Sequence, residues 1–220
     1  MMDDHHSDHK PSHSNSMPEM PKVDMKNVNA DALKGGFGDV INIIKLDKNA
    51  MGKVAGRDAE GISIALVYLA VGAIAASLGG MILGYYGYHT GIVAGIVGAV
   101  LAVVMGFLVY YITSLVAEKM FKGEAKFPQY FRVMGYASLL NVVGFLTIVP
   151  FLSTLASIWL LVINYFALTT VHKLNSTNAV LTLIVTIVVF VLLTVLITSL
   201  LATLGLAAIG AGAATAALGR

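Results

Sequence analysis

The sequence predicts an all-α integral membrane protein, with five transmembrane helices preceded by a short amphipathic helix and a disordered N-terminal arm. Three observations point there. The 220 residues are 57% hydrophobic and only 12% charged, whereas soluble domains carry roughly 25% charged residues. Mean hydropathy is +0.82. The charges are also segregated: ten of the 12 acids lie in residues 1–60, and beyond Gly61 only Glu118, Lys119, Lys122, Glu124, Lys126, Arg132, Lys173 and Arg220 remain. So few charges cannot clothe 160 residues in water, so lipid must be the solvent.

Residues 1–30 form a polar arm with Pro11, Pro18 and Pro21 among Ser, Asn, His and Asp. Nothing there can bury a core, and the arm is expected to be disordered. Residues 31–60 form an amphipathic juxtamembrane segment. Phe37, Val40, Ile41 and Ile44 recur at helical spacing, and Ala50, Met51 and Val54 continue the pattern behind a break near Asp47. Lys45, Lys48, Lys53 and Arg57 occupy much of the remaining surface. Such a helix either lies in the membrane interface or packs on the protein's own loops, and the pattern leaves both open.

The membrane domain is expected over 61–204. Its spans cover about 62–86, 91–116, 130–149, 151–171 and 179–204, each near the ~20 apolar residues that cross a bilayer. Pro150 marks the turn between the third and fourth spans, and a Gly/Ala-rich tail follows over 205–220. The first long apolar run starts only at Ile62, too late for a cleaved leader, so that span is expected to direct insertion. Lys and Arg fall on one side of the resulting topology, at 45, 48, 53, 57, 119, 122, 126, 132 and 173. This bias places the N-terminus in the cytoplasm and the C-terminus on the opposite side.

Within the spans, small residues recur four apart. Gly72, Ala76, Gly80 and Gly84 line the first, and Ala94, Gly98, Ala102 and Gly106 line the second. Such ladders let backbones approach closely, in a hairpin of the two helices or in a homo-oligomer. Asn141 and Asn164 are the most polar groups at depth, and Thr182, Thr186, Thr194 and Thr198 share a face of the fifth span. Hydrogen bonding between or within helices is the expected use of these groups.

No Asp, Glu, Lys or His is expected at mid-depth, which disfavours proton-coupled transport. There is no HExxH, GxSxG or Walker motif, so no catalytic residues, cofactor or metal site are expected. His5, His6, His9 and His13 cluster in the arm without the setting of an evolved metal site, and His89 and His172 read as lone loop histidines. A net charge of +2 with no basic patch argues against nucleic acid. The chain has no Cys, which removes disulfides and thiolate chemistry.

Residues 105–190 carry a pattern that resembles the Yip1 family of small five-span membrane proteins. A Phe-x-Gly turn, Phe121 to Gly123, precedes Phe127, then Tyr130-x-Arg132-Val133 and Gly135-Tyr136-Ala137-Ser138. Next come Ile158-Trp159, Ala167-Leu168, Val171-His172-Lys173-Leu174 and Asn178-Ala179-Val180. Where eukaryotic members carry Asp-Leu-Tyr-Gly-Pro before the first span, this chain keeps only Asp58 and Gly61. The resemblance implies five spans, a cytosolic N-terminus and no enzymatic activity. It also implies kinship with proteins of ER–Golgi traffic that associate with prenylated small GTPases. The expected function is a non-catalytic scaffold or adaptor in the lipid bilayer, contacting other membrane proteins. The alternative is a transporter or channel for a small neutral solute, lined by Asn141, Asn164 and the threonines.

Overall fold

The computed structural model describes residues 25, 28–82, 92–146 and 150–218, with the backbone alone at 80–82, 92–95, 144, 146, 150, 201–202 and 204–218. Most of the expected polar arm, Gly84, His89, Arg220 and the 87–90 turn lie outside the described residues, as do the side-chain surroundings of Gly80 and Ala94. The described residues form seven α-helices and one 3₁₀ helix.

Helix α1, Ala30–Ile44, begins where the Asn29 side chain accepts a hydrogen bond from the Ala32 amide at 2.9 Å. This satisfies one of the amides that a helix start leaves unpaired. The helix stops at Leu46, which takes a positive φ of 65°. The Leu46 amide bonds back to the Ile43 carbonyl and the Asp47 amide to that of Asn42. That pair of bonds is a Schellman ending, here with Leu in the place glycine usually takes. Asp47 then turns round and caps α2, Lys48–Ala55, accepting from the amides of Asn49 and Ala50.

Both short helices dock on the bundle. Val40, Ile43, Met51 and Val54 are at most 1% exposed. Relative to exposure to water, burying each is worth about 1.5–3 kcal/mol at most. The face that α1 buries is Gly36, Asp39, Val40 and Ile43, rotated from the expected Phe37–Val40–Ile41–Ile44 stripe. Phe37 and Ile41 point outward instead. The apolar stripe is wider than one interface, so docking consumes only part of it.

Among the described residues, four helices are long and apolar enough to cross a membrane: α3, Ala59–Ile82; α4, Ile92–Phe121; α6, Pro150–Thr170; and α7, Ser176–Leu218. Helix α7 runs on through the Gly/Ala-rich tail to Leu218. The expected third span, 130–149, takes a different form. It is an 11-residue helix α5, Phe127–Ala137, that tightens into a nine-residue 3₁₀ helix, Ser138–Leu146. One continuous α-helix was expected there, and the correction has a local cause. At the junction the Ser138 hydroxyl donates to the Met134 carbonyl at 2.8 Å, while the Ser138 carbonyl presses against Gly72 of α3. A side chain at position 72 would collide with that carbonyl.

Helix α5 is the hub. It packs against α1, α2, α3, α4 and α6, and Tyr130, Phe131, Val133, Met134, Tyr136 and Ala137 are buried almost completely. Aromatic rings knit it to α4: Phe107 lies 5.2 Å from both Phe127 and Phe131, and Tyr111 lies 5.2 Å from Phe127, edge to face. Helix α7 is the reverse case, with Leu192, Leu196 and Leu200 well exposed, as suits a surface whose solvent is lipid.

Candidate functional site

The end of the bundle where α1 and α2 dock gathers most of the charged and polar side chains among the described residues, in two connected clusters. The first ties the short helices down. Asp39, buried on the inner face of α1, accepts from Arg57 and from Lys53, the latter at 3.2 Å. Arg57 also donates to the Tyr136 hydroxyl and stacks over that ring, 5.4 Å from its centre. Tyr136 meets Tyr68 edge to face at 5.1 Å, and the Tyr68 hydroxyl donates to the Leu33 carbonyl of α1. Arg132 donates to the carbonyls of Ala55 at 2.7 Å and Asp58 at 3.1 Å, satisfying acceptors left open where α2 ends. Trp159 of α6 donates to the Ile44 carbonyl at the end of α1, at 2.9 Å.

Packing fixes the residue types as tightly as charge does. A Cβ at Gly135 would stand 2.6 Å from the Ala65 Cβ and 2.7 Å from its carbonyl oxygen, so α5 and α3 cross backbone to backbone there.

The second cluster joins two turns. Helices α4 and α6 end alike, in a lysine at positive φ: Lys122 at 55° and Lys173 at 58°. In each, the next amide reaches back six residues, from Gly123 to Ala117 and from Leu174 to Leu168. The turns are bonded together by the Glu124 amide donating to the His172 carbonyl at 3.0 Å. A Cβ at Gly123 would stand 2.7 Å from His172 Nδ1, so glycine is what admits the imidazole. His172 is fully buried, 3.2 Å from the Ser114 hydroxyl through Nε2 and 5.3 Å from the Tyr130 ring. Burial pushes its pKa down to about 4, with Glu118 acting in the opposite direction. The lone loop histidine expected from sequence is therefore a corrected reading: His172 pins two turns together.

The motif residues divide between these clusters. Phe121 and Gly123 belong with His172, Phe121 packed on the core. Arg132 and Tyr136 belong with the docked helices, while Gly135 sets the close crossing of α5 on α3. Asp39 and Tyr68 were not singled out in sequence, and Arg57 was read only as part of the basic surface; an acid on an otherwise apolar helical face was the available sign.

The small-residue ladders land unevenly. Gly72 packs on Ser138 and lies near Asn141, Gly106 meets the Leu69 side chain of α3, Ala102 is half-buried and Ala76 is exposed. No described atom approaches within 4 Å of a Cβ at Gly98. Asn164 accepts from the Tyr130 hydroxyl at 2.7 Å. Thr182, Thr194 and Thr198 donate to carbonyls of their own helix, and Thr186 is buried with its hydroxyl unpartnered.

No group of three or more His, Cys, Asp or Glu able to hold a metal ion occurs among the described residues. What the arrangement offers is a charged end, tied together by hydrogen bonds and ion pairs, on an all-α integral membrane protein. The chain belongs to the Yip1 domain family, whose model matches residues 49–215. Searches of curated proteins and of solved structures returned no significant match.

Proposed function

We propose that this protein is a non-catalytic adaptor of the membrane, and that its docked end is the surface it offers to partners. The observation that carries the reading is the fastening of α1 and α2. Buried apolar contacts, the Asp39–Arg57–Tyr136 network and the Arg132 cap hold them on the bundle, while Phe37 and Ile41 face outward from α1. A pre-ordered surface binds without first losing the entropy of folding a loose arm. Family membership supports the absence of enzymatic activity, since the family is generally non-enzymatic.

The same reading takes α5 and the 3₁₀ helix together as one span, the third in chain order of five. At 1.5 Å per α residue and about 2.0 Å per 3₁₀ residue, Phe127–Leu146 reaches roughly 34 Å, enough for ~30 Å of hydrocarbon. The basic side chains near the docked end support a cytoplasmic position for it, with the C-terminus opposite. The conduit reading draws no support from Asn164 or from Thr182, Thr194 and Thr198, whose side-chain oxygens already have partners.

A photo-crosslinking amino acid at Ile41, compared with one at lipid-facing Leu192, tests the adaptor in its native membrane. Protein adducts are expected at Ile41 and lipid adducts at Leu192. Lipid alone at both positions, together with solute flux through proteoliposomes, would overturn it.

A further inference from the structure

On the docked end, α2 and the α6–α7 turn enclose a groove of about 490 Å³, lined by Lys48, Asn49, Gly52, Lys53, Thr169, Thr170 and Lys173. We propose that this groove binds the phosphate of an anionic lipid headgroup, bridging the juxtamembrane helices to the membrane domain. The proposal rests on the membrane placement of the chain and not on the adaptor reading.

Charge is the first argument. Three lysines from two separate elements line the groove, and no acid lines it. Among the described residues neither Lys48 nor Lys173 has an ion pair, and Lys53 shares Asp39 with Arg57. Like charges brought together repel unless an anion sits among them. Lys48 stands over the Phe166 ring at 5.5 Å, a contact that holds the ammonium without neutralising it.

A further observation points to a ligand. Thr170 lines the groove and its buried hydroxyl has no hydrogen-bond partner in the protein; an unpaired buried hydroxyl is costly unless a bound group completes it.

Depth selects the kind of anion. The α6 candidate span ends at Thr170, so the groove sits where hydrocarbon gives way to headgroups. The anion most concentrated at that level is phosphate. Lysines bind it as point charges, and threonine hydroxyls can donate to its oxygens. Free phosphate has the same chemistry, and the test separates the two sources.

The full-length protein in neutral detergent would be titrated with phosphatidylglycerol, phosphatidylcholine or inorganic phosphate. Lipid adducts would be read by native mass spectrometry and stability by the thermal midpoint. Phosphatidylglycerol is expected to be retained and to raise the midpoint, and phosphatidylcholine is not. The Lys48→Gln/Lys173→Gln double variant should bind roughly tenfold more weakly or worse, since two charge-assisted contacts are lost. Gly52→Glu should do the same: a Cβ at Gly52 meets nothing within 4 Å, so the variant can fold while placing a carboxylate in the groove. Lys119→Gln, in the last turn of α4, outside the groove lining and paired with Glu118, controls for net charge and should bind as the parent does. A midpoint raised by inorganic phosphate and lost in the same variants would support the phosphate site and assign its source to solution. Equal retention of both lipids with no phosphate effect would overturn the proposal, as would parental binding by folded double and Gly52→Glu variants.

Discussion

At the scale of single residues, His172 shows how burial sets chemistry. Its imidazole lies among Ser114, Tyr130 and the Gly123 turn, and its pKa falls from 6.5 to about 4 because the charged form would lose its hydration there. Between those values the unfolded chain binds the proton and the folded chain does not. Stability from this group is therefore whole above about pH 6.5 and declines as pH falls toward 4, by roughly 3 kcal/mol in total. Thermal midpoints of the purified protein should drop over that window, and His172→Gln should remove most of the slope. An unchanged slope in the variant would assign the acid sensitivity to other groups. A second prediction concerns the glycine that admits the ring. Gly123→Ala should destabilise by about 1–3 kcal/mol, because the added methyl meets His172 and the Ala117 carbonyl and must displace them. Equal denaturation midpoints for variant and parent would contradict this. Sequence carried Phe121-Lys122-Gly123 and His172-Lys173-Leu174 as two separate patterns. Nothing in either shows that they touch, since about 50 residues lie between them.

At the scale of elements, the decisive contact is between α3 and the α5–3₁₀ junction. A 3₁₀ run of nine residues is long, since its hydrogen bonds are poorer than those of an α-helix. It persists where Ser138 is held at once by Met134, Tyr110 and the close face of Gly72. Gly72→Ala should therefore cost about 1–3 kcal/mol, because its methyl meets backbone that cannot swing aside. Gly98→Ala should be near neutral, as the new methyl has no described neighbour. Unfolding of the two variants in mixed micelles would compare them, and equal losses would show that the first two spans pack more tightly than the described contacts indicate. The glycine spacing in the sequence marked both positions alike. Periodicity reports which residues share a face, not which face meets a partner.

For the whole molecule, the natural absence of cysteine makes topology directly testable. Single cysteines replacing Lys34, Lys122 and Lys173 should label from one side of the membrane, and those replacing Tyr88 or Arg220 from the other. Labelling of Tyr88 and Lys122 from the same side would refute the five-span arrangement. The joining of the Lys122 and Lys173 turns through Glu124 and His172 already requires those two positions to share an end.

Sequence alone determined the solvent of this protein, its helical class and its family. Those properties follow from local quantities: the density of charge, the length of apolar runs and a motif read within short windows. The tertiary structure decided what such windows cannot contain. It chose which face of α1 is buried, because a stripe wider than one interface gives no preference by itself. It broke the third apolar run at Ser138, because the run's composition suits a helix while its neighbour at Gly72 presses on the backbone. It also paired Asp39 with Arg57 and seated His172 beneath Gly123. A charge pair or a buried ring is a property of two places in space, and the chain brings those places together only by folding.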